Sequence, residues 1–130
     1  MTVHDFVSWI DLKIKAHFAK PRILFREREI WMTYYGQNVG SEENGKGEQF
    51  HRPVIILKKL NSEIFICVPT STVVKPEKSY YVPYRQRGVV YSAMISHVRT
   101  LDAKRCVYRM GRIDEQDFGR IKGFVAQYFL

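Results

Sequence analysis

At 130 residues the chain has the length of one ordinary domain, and with 45% hydrophobic and 14% aromatic residues it can fill a core, which excludes an intrinsically disordered chain. No apolar run approaches the roughly 18 residues of a membrane span, and the first 20 residues scatter Asp5, Asp11 and several cations among their apolar positions, so they do not read as a secretory signal and the cytoplasm is the expected compartment. The net charge of +8 favours a polyanionic partner, nucleic acid or an acidic protein segment, without saying which.

In chain order, residues 2–20 predict an amphipathic helix. Thr2 stands at its cap with Asp5 in the capping-box position, and Val3, Phe6, Val7, Ile10, Ile14 and Phe18 recur at three- and four-residue steps. Lys20 suits the negative end of the helix dipole and Pro21 stops the helix. The stripe is expected to pack against the rest of the chain or a subunit partner, with a membrane-surface helix as the alternative. Residues 29–35 are rich in β-formers and predict a strand. Glycines at 36, 40, 45 and 47, with Asn38, Ser41 and Asn44, then mark a long polar loop, of a length that is often functional. Residues 53–58 and 63–69 predict a hairpin turning at Leu60-Asn61-Ser62. Residues 80–84 and 89–95 predict two strands joined by the basic turn Arg85-Gln86-Arg87-Gly88; 98–101 a short β or turn segment; and 105–110 a last strand closed by Gly111. The end of the chain predicts a helix capped near Asp114, with Asp117 in its first turn, although Gly119 and Gly123 weaken it. Its core-facing stripe is Phe118, Ile121, Phe124, Val125, Tyr128 and Phe129. Cys67 and Cys106 are far apart and read as buried free thiols. Many short strands with terminal helices predict a mostly β fold with α, a small and strongly bent antiparallel β-barrel.

The common enzyme signatures are absent: there is no P-loop, Rossmann fingerprint, HExxH or GxSxG. His4, His17, His51 and His97 lack metal-ligand spacing, so no metal or cofactor is expected. What stands out is a set of polar islands at strand ends: Gly45 to Val54, Val68 to Ser71, and Ser96 to Asp102. In order, the chain reads NxGxExxGK from Asn38, RPVIIL from Arg52, VPTS from Val68, SxxRTLDxKR from Ser96 and GRI from Gly111. Each pattern alone is weak; together, over one small domain, they resemble the MazF/PemK toxin family. The resemblance spans residues 26–130, leaving residues 1–25 as an N-terminal amphipathic helical extension.

The resemblance implies an SH3-like antiparallel barrel with short helices, and a homodimer; residues 1–25 match nothing in the family, so the expected fold of that barrel with an N-terminal and a C-terminal helix takes its N-terminal helix from the periodicity alone, and no membrane attachment is expected. It implies the toxin of a type II toxin–antitoxin system, a metal-independent endoribonuclease that cleaves single-stranded RNA by 2′-hydroxyl attack and is held by an acidic antitoxin. The family's arginine matches Arg52 and its hydroxyl residue Thr70, with Ser71 beside it. Both make chemical sense: an arginine fork can hold two non-bridging phosphate oxygens, and a threonine hydroxyl adds one hydrogen bond to the same charge. Where the family usually has glutamine this chain has His97, which either transfers protons or positions the substrate, as glutamine would. Asn38, Lys46 and Gln49 of the loop, with Ser71 and Arg99, are assigned to substrate binding. Two other functions stay open: a non-enzymatic toxin of the same fold that binds DNA gyrase, and a catalytically silent RNA- or protein-binding barrel.

Overall fold

The computed structural model describes residues 2–19, 23–75 and 80–129. The elements are α1 (Val3–His17), β1 (Glu29–Tyr34), β2 (His51–Lys59), β3 (Ile64–Ser71), β4 (Tyr81–Gln86), β5 (Val89–Met94), β6 (Arg99–Asp102), β7 (Cys106–Arg112) and α2 (Glu115–Phe129), with single 3-10 turns at Ile95–His97 and Ala103–Arg105. The seven strands form one antiparallel sheet in the order β4-β5-β3-β2-β1-β7, with β6 paired to β3. β3 is the branch: residues 64–67 pair with β6, and Thr70 and Ser71 pair with β5. The mostly β class with a helix at each end is as expected, but the barrel does not close by a backbone ladder. The outermost strands meet through a side chain instead, Gln86 Nε2 of β4 donating to the Met110 carbonyl of β7 at 3.3 Å.

The unbroken apolar run of β2 reflects burial on both faces, because alternate residues of a strand point to opposite sides. Ile55 and Leu57 enter one core with Ile30, Val68, Tyr84, Phe118 and Ile121; Val54 and Ile56 enter another with Phe25, Phe65, Cys67 and Leu101. Cys67 is a buried free thiol, raised well above its ordinary pKa by burial, while Cys106 is half-buried.

The helices carry two corrections. α1 has the expected capping box, with Thr2 and Asp5 bonded reciprocally. Its apolar stripe, however, faces outward: Val3 is 80% exposed, Phe18 79%, and Val7, Ile10 and Ile14 more than half, with Phe6 also exposed. The one buried residue of α1 is Trp9, which is off the stripe. Trp9 meets Phe50 edge-on at 5.8 Å and lies under the Arg105 guanidinium at 5.6 Å, and Lys104 Nζ caps the helix end by donating to the His17 carbonyl at 2.8 Å. A single large aromatic with a cation above it fixes the helix rotation, whatever its periodicity favours. Lys20 and Pro21, expected to end this helix, lie outside the described residues. In α2, Asp114 Oδ1 accepts from the Gln116 N–H, Phe118 and Ile121 are buried and Val125 packs on the core, but Phe124, Tyr128 and Phe129 are exposed. The expected stripe thus meets the core over about two turns, from Phe118 to Val125, and its last residues are left exposed.

Candidate phosphate-binding site

β2 and β3 are antiparallel neighbours, so the start of one lies beside the end of the other. Val54 faces Pro69 in their ladder, which brings Arg52 beside Thr70: Arg52 Nη1 donates to the Thr70 carbonyl at 3.0 Å. The Thr70 hydroxyl donates to the Pro53 carbonyl at 3.3 Å. Tyr84, buried behind it, is pushed up to about 12 by burial, with a hydrogen bond to Thr70 partly offsetting this. A cleft of about 100 Å³ opens at this corner, lined by Lys46, His51, Arg52, Pro53, Thr70, Ser71, Thr72 and Tyr91.

The loop from Gly36 to Phe50 roofs the corner. Its neck is sewn by main-chain bonds, Gly45 N to the Gly36 carbonyl at 2.7 Å and a reciprocal pair between Lys46 and His51. Only glycine fits at 45, where a Cβ would stand 1.8 Å from the Phe50 carbonyl oxygen. At Gly36, with φ +91°, a Cβ would lie 2.3 Å from the Trp9 ring, so α1 packs directly on the neck. Phe50 itself, left-handed at φ 52°, is held between that indole and the strand start. Inside the loop the Asn38 N–H donates to Asn44 Oδ1, and Asn38 Nδ2 donates to the Glu43 carbonyl at 2.7 Å. Asn38, assigned to substrate, is in this state a staple of its own loop.

This loop also holds Arg52. Its side chain is 5% exposed, and each guanidinium nitrogen has a protein acceptor: Nε the Asn44 carbonyl at 2.6 Å, Nη1 the Thr70 carbonyl, and Nη2 the Glu43 carboxylate at 2.8 Å. Glu43 also lines a second depression of about 330 Å³ with Asn38, Glu42, Ser96, His97, Val98 and Arg99. The polar islands therefore fall into two groups. Lys46, Arg52, Thr70 and Ser71 share the cleft; Asn38, His97 and Arg99 share the second depression, with Arg99 stacked over the Tyr35 ring at 5.2 Å. Gln49 is exposed and lines neither. His97 is not in the cleft with Arg52, because the 3-10 turn that follows β5 carries it past Glu43.

The cleft has a histidine that sequence reasoning left aside. His51 sits half-buried against Tyr34 at 5.3 Å, its Nε2 is buried without a hydrogen-bond partner among the described residues, and burial holds its imidazole below the ordinary value. Strand alternation assigns it to the face opposite Arg52, but it is the first residue of β2 and follows the left-handed Phe50, where alternation is a poor guide. Glu43 had no sequence signal either: it is one of several acids in a polar loop. Among the described residues no group of three or more His, Cys, Asp and Glu side chains is placed to hold a metal ion, and no helix is long and apolar enough to cross a membrane.

Residues 26–129 match the family described as the PemK-like, MazF-like toxin of type II toxin–antitoxin system. The chain belongs to that family. The toxin's fold is similar to that of MazF from Deinococcus radiodurans (Form-I), with a TM-score of 0.61 at 15% identity over 85% of this chain and 98% of that one. It is likewise similar to MazE–MazF (Form-II) from the same organism, with a TM-score of 0.58 at 13% identity over 85% and 97%. At such identities the likeness is one of fold. No curated protein matches the sequence. The match begins after α1, so the helix that packs on the loop neck lies outside the matched span.

Proposed function

We propose that this toxin is an endoribonuclease that cuts single-stranded RNA without a metal ion. The RNA 2′-hydroxyl attacks the adjacent phosphorus, the bond to the 5′-oxygen breaks, and the products are a 2′,3′-cyclic phosphate and a 5′-hydroxyl. The observation that carries this reading is the convergence of Arg52, Thr70, Ser71 and Lys46 on one small cleft at the joined ends of β2 and β3. A guanidinium and hydroxyls fixed there stabilise the charge that builds on the non-bridging oxygens. The attack also needs a base for the 2′-hydroxyl proton and an acid for the leaving oxygen. Arg52 is unsuited, since an arginine pKa exceeds about 12. Of the titratable residues lining the cleft, only His51 belongs to a type that titrates near neutrality. In this reading His51 moves the proton, and His97 with Arg99 binds a flanking nucleotide in the second depression.

The +8 charge and the MazE–MazF complex among the structural neighbours support an acidic antitoxin segment as the inhibitor, and the family supports a homodimer as the working form. The test is to incubate the pure protein with a long single-stranded RNA in EDTA and to identify the fragment ends. Fragments with a 5′-hydroxyl and a cyclic phosphate are expected. Intact RNA, or cleavage that stops with chelator and returns with magnesium, overturns the proposal.

A further inference from the structure

The side edge of a guanidinium, Nε with Nη2, is the edge that takes a phosphate in two parallel hydrogen bonds. In Arg52 that edge is occupied by two consecutive loop residues, the Asn44 carbonyl on Nε and the Glu43 carboxylate on Nη2. The remaining nitrogen, Nη1, is tied to Thr70 in the sheet and does not depend on the loop. We infer that Glu43 sits in the phosphate seat of Arg52, so that RNA binds by displacing this carboxylate and lifting the loop segment that carries it. The inference rests on the reading of Arg52 as the phosphate clamp.

The loop is built for such a movement. Its neck is fastened by the main-chain bonds at Gly36, Gly45, Lys46 and His51, and the segment above the neck is cross-linked within itself by Asn38 to Glu43 and Asn44. Residues 38–44 can therefore leave as one piece, freeing both nitrogens of the edge together while Thr70 keeps the guanidinium in place. A carboxylate is a good occupant because it offers the same anionic oxygen as a phosphate and neutralises a cation that is 5% exposed. The Glu43 side chain, at 26% exposed, is within reach of solvent and of an incoming anion. Since Glu43 also lines the His97 depression, its departure joins that depression to the cleft, and the two groups of polar islands become one surface.

The experiment measures binding of a single-stranded oligodeoxynucleotide, which cannot be cleaved for want of a 2′-hydroxyl, to the full-length protein and to three variants. Glu43→Gln should tighten binding about tenfold, the gain from no longer having to open a closed state. Glu43→Ala, which removes the acceptor altogether, should tighten it at least as much. Glu48→Gln removes the same unit of charge from the same loop at an exposed position that lines neither the cleft nor the depression, and should change binding less than threefold, on the order of a rim charge. Unchanged or weaker binding by both Glu43 variants overturns the inference, as does a Glu48→Gln effect as large as that of Glu43→Gln, or no binding by any of the proteins. Cleavage of RNA is scored separately: a wild type that binds the oligonucleotide but leaves RNA intact overturns the ribonuclease reading and not the exchange at Arg52.

Discussion

The Arg52 cleft and the His97 depression hold similar residue types, yet they are built differently. The cleft is fixed by the β2–β3 ladder: Arg52 and Thr70 are placed by main-chain register, and their contacts are buried. The depression is walled by a loop on one side and a 3-10 turn on the other, and its residues are half-buried or exposed. Groups held by a ladder and desolvated are preorganised for a transition state, where misplacement is most costly. Groups on a loop wall suit recognition, where adjustment is tolerated. The difference suggests chemistry in one and substrate choice in the other, and that division can be tested residue by residue.

The largest effect is expected at Arg52. Arg52→Ala should lower the cleavage rate about 100- to 1,000-fold, the usual loss for one preorganised donor. It should also lower stability by about 3 kcal/mol, because Glu43 and two carbonyls lose their partner together. Cleavage assays and denaturant titration separate the two, and a rate within a few-fold of wild type would remove the cleft from the chemistry.

Next comes His51. His51→Gln should slow cleavage on the order of 100-fold and erase an acid limb in the pH–rate profile. That limb should lie below the ordinary histidine value of 6.5, since burial lowers the folded pKa. The same shift has a stability consequence. As pH falls below 6.5 the unfolded chain protonates this histidine before the folded one does, so stability present above 6.5 declines until the folded pKa is passed. Urea midpoints across that range should fall with pH in the wild type and fall less in His51→Gln. A variant with unchanged rate and profile would leave His51 a packing residue of the cleft wall.

The smallest effect is expected in the depression. His97→Gln, which restores the residue usual in the family, should shift KM a few-fold and leave kcat and its pH dependence alone. A loss near 100-fold in kcat with a vanished titration would place proton transfer at His97 and dissolve the division between the two sites. Arg99→Ala offers a cross-check, because its guanidinium is stacked on Tyr35 beside the same depression. Altered preference among RNA sequences at similar kcat is the expected result.

Much of this molecule follows from neighbouring residues alone. The Thr2–Asp5 capping box, the β runs on both sides of the Leu60-Asn61-Ser62 turn and the acidic start of α2 are local, set by side chains a few positions apart, and they appear where the pattern puts them. The spaced islands were enough to point to Arg52 and Thr70, because the order of motifs along the chain survives folding. What needed the third dimension is whatever depends on which surfaces meet. Periodicity marked the apolar stripe of α1 but says nothing about its cover, and the fold buries Trp9 instead because Gly36 and Phe50 leave room for one indole there. No local pattern shows that the sheet ends meet through Gln86 rather than a ladder, or that Glu43 lies on Arg52 and parts it from His97. Those facts are made by contacts between distant segments, and a charge or an apolar side chain has the same chemistry in the sequence whichever partner the fold brings to it.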